Sequence, residues 1–263
     1  YLNQVSLLIN RLVTGQRPVW RLSALPLCLL VNLFVAPQIA APANLAPTEI
    51  VVVMDLHDNT FMPDYQLVAD AWHQLPTKLK LKYFPKLLWQ LTGYGYQKLI
   101  AKTLIGIEHQ LIEPNFNPQY QQLITQTISG FKPLPGVEQL LTKLNQAGIK
   151  VFAFSNIGPL SYQQLSQQYP RISRQFTGRV ILETALTPHK SQAAAYQRCI
   201  AEVTKALGYT PKKFVFFDDT QSNLQLAVQT DPRFVPVLCQ SKTGQALTAA
   251  HQQLLRACHL SGS

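Results

Sequence analysis

Residues 51–60 read Val-Val-Val-Met-Asp-Leu-His-Asp-Asn-Thr, an apolar run followed by acidic and polar residues. An apolar run that begins with three β-branched residues predicts a buried strand of a parallel sheet, because such strands are covered on both faces. An acidic cluster begins at Asp55, where that strand must end. In open α/β sheets, ligands bind outside the carboxyl ends of the strands, and a carboxylate there can be a nucleophile or a metal ligand. The segment therefore predicts a reactive site at the end of a central strand.

Apolar runs and helical segments alternate through the rest of the chain. Strands are predicted at 50–54, 149–154, 179–182, 213–217 and 234–238, and helices at 137–147, 161–168, 191–207 and 222–228. Gly148 and Gly208 follow two of these helices, where a glycine is typical of a helix C-terminus. Strands that alternate with helices predict an α/β fold with a doubly wound parallel sheet and right-handed crossovers.

A long helical stretch separates the first strand from the helix at 137–147. Its helical segments are 65–74, 79–91, 96–111 and 119–129, with Gly and Pro residues between them. The stretch is too long for a simple crossover, so it predicts an α-helical cap at 62–130 inserted into a core formed by 44–61 and 131–263. The cap contains six lysines that alternate with aromatic residues. The lysines are Lys78, Lys80, Lys82, Lys86, Lys98 and Lys102. They suit either a solvated helix face or a basic surface for an anionic substrate, membrane or partner.

Residues 1–43 differ from the rest of the chain and predict a leader. Arg17 and Arg21 precede an almost wholly apolar stretch at 22–35, and small residues follow at 36–43. This order is typical of a secretory signal peptide, so we expect a periplasmic or secreted protein with no stable membrane span after cleavage. The alternatives are a buried helix and an uncleaved anchor, which would give a cytoplasmic or a membrane-anchored protein. Because the chain begins with Tyr rather than Met, its first twelve residues are either extraneous sequence or the start of a fragment.

The composition is that of a globular protein with an excess of positive charge. Of the 263 residues, 47% are hydrophobic and 14% are charged, and the net charge is +10. This excess favours an anionic partner such as a small phosphorylated substrate. No nucleic-acid-binding motif accompanies it, so nucleic acid is not expected. Cys199, Cys239 and Cys258 lack the spacing of a zinc site and are expected to be thiols without a metal.

Residues that can carry chemistry fall at four predicted strand ends. They are Asp55, Ser155 with Asn156, Lys190, and Asp218 with Asp219. Each is common in α/β proteins when it occurs alone. Because the carboxyl ends of parallel strands meet at one edge of a sheet, their order and strand context predict one shared site.

With these motifs the chain resembles the haloacid dehalogenase-like hydrolase superfamily, in the branch with a helical cap after the first strand. The resemblance covers roughly residues 50–241, and its motifs are the segments 53–60, 152–156, 189–191 and 215–223. The segment 134–150 is also similar to the helix and strand that lead into the second motif of the family. The resemblance implies a Rossmann-like core with an inserted cap and a hydrolase activity.

The resemblance also implies the roles of the site residues. Asp55 would attack phosphorus to form an aspartyl-phosphate, which divides the hydrolysis into two easier steps. Ser155 and backbone N–H groups near Asn156 would hydrogen-bond the phosphoryl oxygens. Lys190 would balance the charges of the phosphate and of Asp55.

A magnesium ion is the cofactor that the resemblance implies, because Mg²⁺ prefers carboxylates, water and phosphate oxygens. Its ligands would be Asp55, the backbone carbonyl of His57, and Asp219. Asp218 would be a second acidic ligand or a group behind the ligands. Asn223 would orient these carboxylates.

His57 is the main departure from the family pattern, because the second Asp of the family's first motif would stand at this position. That Asp protonates the leaving group and then activates water. His57 could substitute, since imidazole exchanges protons near neutral pH. Asp58 stands where Gly is frequent, and Asn59 stands where Thr or Val is frequent. Asp58 is an alternative for the missing acid, but its position at the strand end is expected to point it away from the site. Ser191 stands where Pro is frequent, a difference that alters the turn but not the charge of Lys190.

The leading hypothesis is a Mg²⁺-dependent phosphatase that acts on a small phosphorylated molecule. One alternative is a catalytically weakened protein that binds an anionic ligand or a partner through the same fold. Another is a hydrolase for a non-phosphate substrate, such as a dehalogenase. The retained carboxylates argue against both alternatives, because strand-end carboxylates are costly to keep without a cation.

Overall fold

The computed structural model describes residues 49–74, 77, 118–181, 189–240 and 244–260. The strands are β1 Ile50–Met54, β2 Phe61–Met62, β3 Lys132–Pro133, β4 Lys150–Ser155, β5 Gly178–Ile181, β6 Lys213–Asp218 and β7 Phe234–Leu238. The helices are α1 Tyr65–Gln74, α2 Pro118–Ser129, α3 Val137–Gln146, α4 Pro159–Gln168, α5 Pro170–Ser173, α6 Ala193–Leu207, α7 Gln221–Thr230 and α8 Gly244–Ala257.

Five of the strands form one parallel sheet with β1 at its centre. The strand order is β5-β4-β1-β6-β7, and every neighbouring pair is parallel. Pro236 lies in β7 at one edge of this sheet, where a missing N–H donor is tolerated. The predicted strands and the predicted α/β architecture are confirmed. A short antiparallel pair of β2 with β3 was not predicted.

The sheet has a hydrophobic core on each face, as a doubly wound fold requires. Val52 and Met54 belong to one core, which includes Leu140 of α3 and Leu254 of α8. Val51 and Val53 belong to the second, which is covered by α6 and α7. The alternation along β1 therefore buries the whole strand and fixes the position of the residue that follows it.

The first and last helical segments predicted for the cap are confirmed as α1 and α2. These two helices contact each other, and α2 also contacts α4. The other predicted cap helices, at 79–91 and 96–111, the six lysines of the cap and the leader at 1–43 lie outside the described residues. Within the described part of the chain, we find no helix with the length and apolarity needed to cross a membrane.

The three cysteines of the described chain are buried thiols. Burial raises the pKa of Cys199 to about 12 and has the same effect on Cys258. Both thiols therefore stay protonated at neutral pH, which makes them unsuitable as nucleophiles.

Candidate active site

Hydrogen bonds hold both the carboxylate and the backbone of Asp55 at the end of β1. Its Oδ1 accepts a hydrogen bond of 2.8 Å from the backbone N–H of Leu56. The N–H of Asp55 donates to the carbonyl of Phe217, and Thr60 Oγ1 donates to the carbonyl of Asp55 at 2.9 Å. Asp55 is 7% exposed, so it is fixed in position and still reachable from solvent.

Lys190 places its ammonium group between two carboxylates. Its Nζ lies 2.9 Å from Asp55 Oδ1 and 2.9 Å from Asp218 Oδ2. The ammonium also lies over the ring of Phe154, at 4.9 Å from the centroid. Burial alone would lower the pKa of Lys190, but the carboxylates of Asp218 and Asp55 raise it overall. Lys190 is therefore a fixed positive charge at the site.

The position of Lys190 in the chain differs from the prediction of a strand end. It lies in a turn before α6, and its backbone is held from both sides. Its N–H donates to Asn156 Oδ1 at 3.0 Å, and its carbonyl accepts from the hydroxyl of Tyr196 at 2.9 Å. These contacts direct the side chain to Asp55 although Ser191 replaces the frequent Pro.

Asp55, Asp218 and Asp219 form an acidic cluster, in which one carboxylate oxygen of each lies within 4.8 Å of the others. Asp218 is the most firmly held of the three. Thr220 N–H donates to its Oδ1 at 2.8 Å, and Asn223 Nδ2 lies 3.1 and 3.2 Å from its two oxygens. Asn223 was expected to orient the metal-binding carboxylates, and its contact is with Asp218.

The charges of the cluster fit a divalent cation. Burial raises the pKa of Asp218; Lys190 opposes the shift, and Asp55 and Asp219 add to it. When all three carboxylates are ionised, a single ammonium leaves two negative charges in a largely buried site. A dication with oxygen preference would balance these charges, so the residues present fit Mg²⁺.

Asn59 belongs to the site, although no role was predicted for it. It is fully buried, and its Nδ2 lies 3.4 Å from Asp55 Oδ2, 3.1 Å from the carbonyl oxygen of His57 and 3.5 Å from Asp219 Oδ1. The signal in the sequence was an amide at a position where the family resemblance implies Thr or Val. The contacts of this amide depend on the geometry of the turn after β1, which the residue type alone does not show.

His57 lies beside Asp58, whose carboxylate contacts the imidazole and is not part of the acidic cluster of Asp55, Asp218 and Asp219. His57 Nδ1 is 3.4 Å from Asp58 Oδ2. The hydroxyl of Tyr65 donates to the two oxygens of Asp58 at 2.9 and 3.2 Å, and burial together with Asp58 raises the pKa of Tyr65. Asp58 has a φ of 64°, a left-handed conformation that Asp tolerates better than most residues. The turn thereby brings its carboxylate against the imidazole of His57.

Ser155 and Asn156 lie at the carboxyl end of β4, the neighbour of β1. Ser155 is buried, and its Oγ accepts a hydrogen bond of 3.3 Å from Ile157 N–H. Asn156 contacts the backbone of Lys190, as described above. The structure therefore brings Asp55, Lys190, Asp218 and Asp219 into direct proximity and places Ser155 and Asn156 at the same edge of the sheet.

Comparison with protein families matches residues 51–229 to the model of the haloacid dehalogenase-like hydrolases, a range that includes every predicted site residue. Among solved structures, a HAD-superfamily hydrolase from Ehrlichia chaffeensis is 14% identical, with 82% of this chain and 98% of that chain covered and a TM-score of 0.48. The L-2-haloacid dehalogenase from Xanthobacter autotrophicus is 22% identical, with 76% and 80% covered and a TM-score of 0.46. CbbY from Rhodobacter sphaeroides, in complex with phosphate, is 14% identical, with 72% and 86% covered and a TM-score of 0.47.

Proposed function

Because this chain belongs to the haloacid dehalogenase-like hydrolase family, we propose that it hydrolyses a small phosphate monoester with Asp55 as the nucleophile and Mg²⁺ as the cofactor. The observation that carries the proposal is the contact of Asp55 with an ammonium group inside an acidic cluster. Lys190 Nζ lies 2.9 Å from Asp55 Oδ1 and 2.9 Å from Asp218 Oδ2, and Asp219 completes the cluster. The ammonium group, together with a bound cation, would offset the repulsion between the Asp55 carboxylate and an anionic phosphate.

The cation would be held by Asp55, Asp219 and the backbone carbonyl of His57, with Asp218 behind them. When bound, Mg²⁺ supplies charge neutralisation of the phosphoryl group and holds it near the nucleophile. Lys190 acts as a permanent positive charge beside Asp55 and Asp218. Ser155 and the backbone N–H groups near Asn156 would donate to the phosphoryl oxygens.

In the first step, an Asp55 oxygen attacks phosphorus and the bond to the leaving oxygen breaks. Protonated His57 gives its proton to that oxygen, so an alcohol leaves and an aspartyl-phosphate remains. In the second step, a water molecule attacks phosphorus and neutral His57 takes its proton. Asp55 is released as a carboxylate, and His57 regains the proton it gave. Asp58 supports this role by holding Nδ1 of the imidazole.

A panel of phosphate monoesters, assayed with Mg²⁺ and with a chelator, tests the proposal. The wild type should release phosphate only with Mg²⁺. Asp55→Asn preserves the shape of the side chain and should abolish turnover, because an amide is a poor nucleophile. His57→Gln should lower turnover by about 10²- to 10⁴-fold, the usual contribution of a general acid–base group.

Other outcomes would overturn the proposal in identifiable ways. Turnover that survives Asp55→Asn would exclude this residue as the nucleophile. Halide release in the presence of chelator would favour the dehalogenase alternative. Phosphate binding without turnover, unchanged by His57→Asp, would favour the weakened binding protein. A several-fold gain in turnover on His57→Asp would show that His57 does not substitute for the acid.

A further inference from the structure

The side-chain amide of Asn59 contacts the three groups that would hold the proposed cation. Its Nδ2 is between 3.1 and 3.5 Å from three oxygens, which belong to Asp55, the carbonyl of His57, and Asp219. The proposed function assigns the same three groups to Mg²⁺. An N–H donor and a cation satisfy the same lone pairs, so they compete for these three oxygens.

The other end of this amide lacks a partner. Asn59 is fully buried, and among the described residues its Oδ1 has no hydrogen-bond partner. A buried acceptor without a hydrogen bond is unfavourable, because it has lost its contacts with water. Rotation of the amide about its last side-chain bond exchanges the oxygen and the nitrogen. Without a cation this rotation would bring Oδ1 against three other oxygens, so the observed orientation is favoured.

We infer that Asn59 is a switching ligand of the cation site. Its Nδ2 stabilises the three oxygens before a cation binds. Once a cation binds, the amide rotates and Oδ1 coordinates the cation as an additional ligand. An amide carbonyl is among the oxygen ligands used for hard divalent cations in proteins. The inference rests on the proposed function, because it concerns the cation that this function requires.

Mg²⁺ binding, measured by titration calorimetry, and thermal unfolding in chelator test the inference without an activity assay. Asn59→Ala should weaken Mg²⁺ binding by at least about tenfold, a factor typical of losing a group that supports a metal site. It should also lower the unfolding temperature in chelator, because the three oxygens lose their shared donor. Asn59→Ser, with a hydroxyl too short to reach the same position, should show both effects.

The charged variant Asn59→Asp separates the two roles. It should unfold at a lower temperature than the wild type in chelator, because a fourth carboxylate adds repulsion. With Mg²⁺ it should bind more tightly than the wild type, because a carboxylate is the stronger ligand. Equal behaviour of this variant and the wild type in both measurements would contradict the inference.

The Ala variant and a control in the acidic cluster distinguish the ways in which the inference can fail. Tighter Mg²⁺ binding by Asn59→Ala would mean that Asn59 only blocks the site, and unchanged binding would mean that it is a bystander. Asp219→Asn serves as the control for the site itself. If it abolishes binding while Asn59→Ala does not weaken it, the inference alone fails. If the wild type does not bind Mg²⁺, the cofactor of the proposed function fails first.

Discussion

At the residue scale, Lys190 shows how the protein stabilises a buried positive charge. The residue is 1% exposed, and its ammonium group contacts carboxylates that come from the ends of two neighbouring strands. A buried charge of this kind is stable only when it is paired and hydrogen-bonded. Removing it would leave Asp55 and Asp218 close together without a cation of the protein between them.

We therefore expect Lys190→Met to lower the free energy of unfolding by about 3–5 kcal/mol, the usual effect of breaking a buried ion pair. Urea unfolding at neutral pH measures this change. The matched control is Lys143→Met on the exposed face of α3, which should change the free energy by less than about 0.5 kcal/mol. The double variant Lys190→Met with Asp218→Asn should recover part of the loss. A single variant as stable as the wild type would contradict the pairing.

The residue scale also marks how far the sequence can predict the site. Asp55, Asp218 and Asp219 were predicted because strand ends converge at one edge of a parallel sheet. Lys190 was predicted on the same ground, but it reaches the site from a turn before α6. The contacts of Asp58 and Asn59 could not be predicted in this way. They depend on a tight turn in which the N–H groups of Thr60 and Phe61 donate to the carbonyl of Leu56. A shift of one residue in such a turn would place a different side chain against His57.

At the element scale, α8 was not predicted, although its pattern contains a usable signal. Leu247, Ala250 and Leu254 have helical spacing and are all buried in the core shared with β1. The family resemblance covers the chain only to about residue 241, so it does not extend to this helix. His251 lies on the same helix, buried, with its ring 6.0 Å from that of Phe217 in β6.

We expect His251 to make the stability of the protein dependent on pH. Burial lowers the pKa of His251, so the folded protein holds it neutral while the unfolded chain binds a proton near pH 6.5. The unfolded state therefore binds more protons below this pH, and stability falls as the pH drops through that value. In the wild type, the free energy of unfolding should decrease between pH 7.5 and pH 5.5, and His251→Gln should reduce this decrease.

Urea unfolding at the two pH values measures the effect. His259→Asn, an exposed position just after α8, is the matched control and should keep the pH dependence of the wild type. Asparagine suits this position because His259 has a φ of 60°. An equal decrease in His251→Gln and the wild type would exclude His251 as the source of the pH dependence.

At the scale of the whole molecule, the two ends of the proposed cap are packed into the core. Val68 and Ala71 of α1, with Ile124 and Ile128 of α2, belong to the same hydrophobic core as β1. In addition, Gln168 of α4 donates to the carbonyl of Ser129 at 3.0 Å. The inserted segment was predicted from its length, but length does not show that α1 and α2 pack against the core. That packing depends on contacts between side chains that are distant in sequence.

We therefore expect two deletions to have different effects. Replacing residues 78–117 with a short Gly/Ser linker keeps α1 and α2, so the protein should still unfold in one cooperative transition. Replacing residues 62–130 removes those helices and exposes the core that they cover. Each large apolar side chain that loses its burial costs about 1.5–3 kcal/mol, so this second protein should be severely destabilised or unfolded.

Thermal unfolding compares the two deletion variants with the wild type, and hydrolysis of a phosphate panel shows what the cap contributes. We propose that residues 78–117 select the substrate, because loops and insertions on a rigid core usually carry specificity. The 78–117 variant should then cleave a small substrate such as p-nitrophenyl phosphate while losing the preference of the wild type among larger ones. If the 78–117 variant keeps the substrate preference of the wild type, the core selects the substrate. If the two deletions lower the unfolding temperature equally, residues 78–117 are also needed for folding.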